Sequence, residues 1–448
     1  MLEDRFGGQH GSSDPLARAA FEEAVQSVLA HRPSVAPALE RVLAADPEFV
    51  AAHALKGLAA VILARGELRA PAEAALAAAR TSLAAQGGTG GERALVDALA
   101  LAVEGRLAAA TARLDARLAE APHDLLAIKL VHAFRFMLGD AAGMLATGAG
   151  LLPAWDASRP GYGFVLGCHA FALEENGELR AAEALGRQAV LHQPDDAWAL
   201  HAVAHVHEME GRVAHGIAWL EGARPVWSRC NNFSFHLAWH LALFQLEQGQ
   251  HARVLELYDR EVRPQPTDDF RDVANAVSLL WRLRQEGVPV GERWAELVAI
   301  ARRRRQDTSL VFASLHYLLA LVAAGELAAA RELAATLGGA ALTGQGDQAR
   351  VAAEVGRELA EAILAVGEHR PSRLALGRLV EATPALGGSN AQRDLFVRIL
   401  AMHAAEAGDA AACARILAHR RRLKREDRFA WLAGARLEAA QARPGRAA

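Results

Sequence analysis

Apolar residues along this chain recur at intervals of three and four, the period of a helix with one buried face. The pattern is punctuated by glycines at Gly66, Gly105, Gly139, Gly177, Gly211, Gly249, Gly287, Gly325, Gly367 and Gly408, spaced 34 to 42 residues apart. Each closes one apolar-periodic stretch and precedes another, as in ALEENGELRAAEALGRQAV and LVAAGELAAARELAATL. A glycine there suits the left-handed turn that ends a helix before its partner begins. Pro47, Pro122 and Pro194 follow second helices and favour a fresh helix start. Helix–turn–helix units at a period of about 34–40 residues predict an all-α fold, a right-handed α-solenoid of tetratricopeptide-type repeats.

The spacing is clearest in 163–224. Ala204 stands seven residues before Gly211, where the two helices of a repeat approach and a small side chain is required. Leu200 and Val203 share its buried face, and Gly216 is the small residue of the second helix. Ala170, Ala182, Ala189 and Pro194 repeat the arrangement one unit earlier. Two stretches interrupt the array: LLPAWDASRPGYG (151–163) and LGGAALTGQGDQ (337–348). The expected organisation is therefore a disordered N-terminus (1–14), N-terminal repeats (15–150), central repeats (151–336) and C-terminal repeats (337–448). GGTGG (87–91) is followed by no lysine and preceded by no strand, so it reads as an interhelical loop and not a phosphate cradle.

Composition narrows the functional classes. Hydrophobic residues make up 52% but aromatics only 6%, and the net charge is −3, which calls for neither nucleic acid nor an anionic membrane. No run of about 18 uncharged apolar residues appears, so no bilayer span is expected. The acidic start MLEDRFGGQHGSSDP lacks the apolar core of a secretory signal. Cys168, Cys230 and Cys413 lie far apart, without a CxxC, and a cytoplasmic location with reduced thiols is expected. Arg302–Arg305 and HRRRLKRE (419–426) fall near helix C-termini and read as solvated faces that complement the helix dipole.

The 18 histidines are not scattered. In WALHAVAHVHEMEG, His201, His205 and Glu208 stand at i, i+4 and i+7, on one helical face. In FSFHLAWHLALF, His236 and His240 form a second i, i+4 pair around Trp239. First helices of such arrays line the concave groove through the positions 13, 10, 9, 6 and 3 before the glycine. His53 and His236 sit at 13, His201 at 10, His240 and His316 at 9, His205 at 6 and Glu208 at 3. His207, at 4, belongs to the packing face. Asp272, near the start of DVANAVSLLWRL, is a carboxylate candidate beside them.

Three chemistries fit this set. Imidazoles at i, i+4 can share a divalent ion (zinc, iron or manganese), with His201, His205, His236 and His240 as ligands. The same side chains can form a polar pocket for a small molecule or a peptide segment. They can also satisfy one another structurally. The leading expectation is a binding protein or scaffold holding such a ligand in a groove of His201, His205, Glu208, His236, Trp239, His240, Asp272 and His316. The alternative is a metal-dependent enzyme in which Glu208 is a ligand or general base and a metal-bound water attacks.

The blocks DAWALHAVAHVHEMEGR (196–212), FHLAWHLALFQLEQG (235–249), DVANAVSLLWRLRQEGVPVGERW (272–294) and LGGSNAQRDLF (386–396) resemble the tetratricopeptide repeat protein 38 family over nearly the whole chain. The resemblance implies that His201, His205, Glu208, His236, Trp239, His240 and Asp272 belong to the family motif, and it brings no reaction with it. GGSNAQRD also explains itself locally: Ser389 and Gln392 have capping-box spacing. Arg393 and Asp394 are expected to be structural.

Overall fold

A computed structural model describes residues 2–372, 374–425 and 427–442. It is all-helical apart from a two-residue antiparallel ladder, Leu2–Glu3 with Gln9–His10, in the register Leu2↔His10 and Glu3↔Gln9. Helix hairpins follow one another along the chain, as in Gly90–Val103 with Leu107–Glu120, Tyr162–Glu175 with Leu179–His192, and Asn390–Glu406 with Ala410–Leu423. This is the helical-repeat solenoid that the glycine spacing predicts. Among the described residues, no helix is long and apolar enough to cross a membrane.

Eight of the ten marker glycines take positive φ, from 68° at Gly211 to 81° at Gly177. The other two show what the turn requires. At Gly66 and Gly367 the left-handed residue is instead Ala64 (φ 47°) or His369 (φ 52°), a conformation that costs an L-residue about 1–2 kcal/mol. The small-residue sites also behave as their spacing demands. Ala170, Ala182, Ala189 and Ala204 are fully buried, and a Cβ on Gly216 would run into the Phe244 ring.

The chain divides into two compact units, Met1–Val206 with Gly222–Ser234 and His207–Glu221 with Phe235–Ala448. The division falls within helix Ala197–Met209 and again at Glu221/Gly222 and Ser234/Phe235. Helix Leu327–Thr343 runs through Gly338 and Gly339 with Leu337 buried beneath it, and the chain leaves the helix at 344–346 before helix Asp347–Val351.

Residues 4–10 are held by hydrogen bonds and packing. Asp4 accepts the amides of Phe6 and Gly8 at 2.8 and 2.9 Å and binds His10 Nε2 at 2.6 Å, which closes a tight turn. Phe6 is buried, its carbonyl accepts the Leu125 amide at 2.9 Å, and His10 packs edge-on against Phe21. One apolar side chain and a buried carboxylate–imidazole pair order a segment too polar to look ordered. Of the tail ARLEAAQARPGRAA (435–448), whose composition predicts fraying after the last helix, the first part belongs to helix Arg428–Gln441 and residues 443–448 lie outside the described residues.

Candidate functional site

In the first unit, helix Ala197–Met209 carries His201 and His205 one turn apart, their rings 4.2 Å between centroids and both buried. Phe171 stacks on His201 at 5.4 Å, and Trp198 and Phe233 close over it at 5.0 and 5.2 Å. Glu174, from the end of helix Tyr162–Glu175, lies 3.1 Å from His205 Nδ1, and Glu175 lies 3.9 Å away. A carboxylate only accepts, so Nδ1–H donates to Glu174. Glu174, Glu175 and His205 together are a donor set that can hold a metal ion. Neither glutamate was a sequence candidate, although Glu174 stands three residues before Gly177, as Glu208 does before Gly211.

In the second unit, helix Phe233–Glu247 carries His236, Trp239 and His240, all buried. The two imidazoles face each other, Nε2 to Nε2, at 3.2 Å. On their far sides, His240 Nδ1 lies 3.0 Å from Glu208 Oε2 and His236 Nδ1 lies 3.1 Å from Asn275 Oδ1. Each Nδ1–H thus has an acceptor, and the two Nε2 atoms face each other within hydrogen-bond distance. Trp239 stacks on His236 (5.3 Å, 19°) and meets His240 edge-on at 4.7 Å. It is core packing and platform at once.

Glu208 is held from its other oxygen too, with Lys424 Nζ at 3.0 Å from Oε1. Lys424 continues to Asp427 at 3.8 Å, Asp427 to Arg420 at 2.6 Å, and Arg420 to Asp394 at 2.6 Å. Burial pulls the Lys424 ammonium down, but Glu208, Asp427 and Asp394 outweigh it and hold its pKa above the ordinary value. Burial likewise pushes Asp394 up, and Arg420 and Lys424 overcome it, leaving a carboxylate well below its usual range. HRRRLKRE is therefore not simply a solvated face. Arg420 is buried and paired, and Arg304 is as well, 2.6 Å from Asp268. Engaged by His240 and Lys424, Glu208 stands as an orienting carboxylate more than as a general base.

The remaining candidates have partners of their own. Asp272 is buried and accepts from the Thr267 hydroxyl at 2.5 Å, and burial, with Asp269 adding to it, raises its pKa to about 6. His316 donates to the Phe312 carbonyl at 2.8 Å and packs against Phe312 and Phe396, its pKa pushed by burial down to about 4. His53 Nε2 lies 2.8 Å from the Pro47 carbonyl, and His207 stacks on His215. Ser389 and Gln392 form the expected capping box of helix Asn390–Glu406, while Arg393 donates to the Gly387 carbonyl and to Asn390.

No protein-family model matches the chain. Among solved structures it is similar to a chain of Naa15/Naa10 bound to HypK-THB, at 15% identity and a TM-score of 0.24. That likeness covers 92% of this chain, which spans 64% of the other chain's length.

Proposed function

We propose that this helical-repeat protein binds a divalent transition-metal ion through the paired histidines His236 and His240 of its second unit, with His201 and His205 of the first unit a separate candidate pair, and that the ion anchors a small ligand. The observation that carries this reading is the His236–His240 pair. Two imidazole lone pairs 3.2 Å apart repel unless a proton or a cation lies between them. With metal–nitrogen bonds of ~2.1 Å, that separation corresponds to a ligand–metal–ligand angle of about 100°, between octahedral and tetrahedral values. Metal-bound imidazoles characteristically donate their other N–H to a carboxylate or carbonyl, as both rings do here. His205 repeats the motif with Glu174.

The motif histidines are buried, so a small ligand suits them better than a peptide lying along an open groove. Zinc, iron and manganese all fit an imidazole and carboxylate set. The likeness to the tetratricopeptide repeat protein 38 family rests on these same motif residues.

Elemental analysis of untagged protein, and cobalt titration followed by visible absorption, test the proposal. Near-stoichiometric metal is expected in the wild type and none in His236→Ala/His240→Ala. Glu208→Gln keeps the shape of the site and is expected to bind about 10–100-fold more weakly. Protein that stays metal-free after incubation with zinc, iron(II), manganese and cobalt overturns the metal reading and leaves a metal-free polar pocket.

A further inference from the structure

In the first unit, residues 4–12 (DRFGGQHGS) enter no helix and lie against the starts of two, Gly90–Val103 and Leu125–Leu138. The helices hold this segment largely through its backbone. The Leu125 amide donates to the Phe6 carbonyl at 2.9 Å, and the Thr89 hydroxyl donates to the Gln9 carbonyl at 2.7 Å. Glu92 accepts the Gly11 amide at 3.0 Å. Side chains add selectivity. Arg117 donates to the Gln9 side-chain oxygen at 3.3 Å, and Phe6 is buried. Gly7, at φ 78°, sits so close to His123 that a Cβ would stand 2.1 Å from its carbonyl oxygen. Thr89, Glu92, Arg117 and Asp124 are all buried. Fixed polar groups matched to a segment's backbone, with a pocket for one anchoring side chain, are the means by which extended peptides are recognised.

The same segment carries features that favour its release. Phe6 is its only large apolar side chain. His10 Nδ1 is buried with no hydrogen-bond partner, and a void of about 10 Å³ remains among His10, Val25 and Leu95. Burial raises the Asp124 pKa, the Ala127 amide and Arg117 only partly offset it, and the charge of Asp4 adds to the rise. An unsatisfied buried nitrogen and two neighbouring carboxylates both disfavour the closed arrangement.

We infer that residues 4–12 are a displaceable latch seated in a peptide-binding groove, and that a partner protein's extended segment with the same Asp-x-Phe-Gly pattern takes their place. Phe6 marks the pocket for its aromatic anchor, and Gly7 marks the point where only glycine fits against the His123 backbone. The groove shares no residue with the histidine pairs and is independent of the metal reading.

The probe is a fluorescently labelled peptide, LEDRFGGQHGSS (residues 2–13), titrated by anisotropy against two full-length chains. One is wild type, and the other is Asp4→Ala/Phe6→Ala, which weakens the latch and leaves the groove unaltered. Saturable binding to the variant is expected, at least about tenfold tighter than to wild type, whose own segment competes at high effective concentration. Peptides carrying Phe6→Ala or Gly7→Val are expected to bind the variant at least about tenfold more weakly. Circular dichroism checks that the variant keeps its helices. Hydrogen exchange on wild type needs no variant and decides the matter if the variant fails to fold. The Gly8, Gly11 and Leu125 amides should exchange at least about a hundredfold faster than that of Leu99, within helix Gly90–Val103. No saturable binding to a folded variant, equal binding to both chains, indifference to the peptide substitutions, or latch amides as slow as Leu99 overturns the inference.

Discussion

Asp196 precedes helix Ala197–Met209, and its titration provides a direct check on how the first unit positions that helix. Its Oδ1 accepts the Trp198 amide at 2.9 Å, while Oδ2 is buried with no hydrogen-bond partner, in the space that a side chain on Gly167 would fill. Burial raises its pKa from 3.8 to about 7, and the Lys129 ammonium and the amides at the helix start do not offset it. The other groups facing it include Asp195 and the thiols of Cys168 and Cys230, both pushed by burial up to about 11. Between about pH 4 and pH 7 the folded chain therefore holds a proton that the unfolded chain has lost, so stability falls as pH rises. At about 1.4 kcal/mol per pKa unit, the loss approaches about 4 kcal/mol. Asp196→Asn keeps the Oδ1 acceptor and removes the titration, but buries a new amide N–H₂ at a cost of about 1–3 kcal/mol. The variant should be less stable than wild type near pH 4.5 and as stable or more so near pH 8, a swing of about 2–4 kcal/mol. Urea unfolding of both proteins at the two pH values measures it. A difference between variant and wild type that is unchanged by pH would refute the reasoning.

Two further outcomes follow from packing and charge. Gly216→Val drives a side chain into the Phe244 ring, and urea unfolding should show a loss of about 1–3 kcal/mol with helix content retained. Lys424→Met leaves Glu208 and Asp427 buried with one cation fewer. A cost of about 3–5 kcal/mol is expected in the same assay, and an unchanged midpoint would mean that the buried chain of charges does not couple.

The repeat was legible because its signals are local. A left-handed turn needs glycine within a residue or two of the helix end, and the small residues at Ala204 and Gly216 are set by contacts inside one hairpin. The same locality explains the misses. Ala64 and His369 take the turn conformation without being glycine, so Gly66 and Gly367 marked the right places for the wrong reason. Of the site, the histidines were found by counting back from the glycine, and the same count would have reached Glu174. Asn275 and Lys424 could not be found that way. Asn275 meets His236 across 39 residues and Lys424 meets Glu208 across 216, and nothing in the local pattern announces either contact. HRRRLKRE misled because adjacent basic residues look alike in sequence, whereas only some of them, Arg420 among them, turn inward.

The carboxylate–imidazole contacts share a spacing that bears on why they exist. Glu174 meets His205 across 31 residues and Glu208 meets His240 across 32, so each carboxylate on one first helix reaches the histidine on the next. Stability alone is a poor account of such contacts, because a buried ion pair is commonly no more stabilising than apolar residues of the same volume. A carboxylate behind an imidazole does, however, fix the tautomer, turn Nε2 forward and raise its basicity, three properties that matter only if something binds at Nε2. Asn275 treats His236 in the same way with a neutral acceptor, which orients the ring without adding charge. Orientation of these nitrogens, more than the strength of the pairs behind them, is what such an arrangement secures, which is why the proposal of a ligand set rests on it.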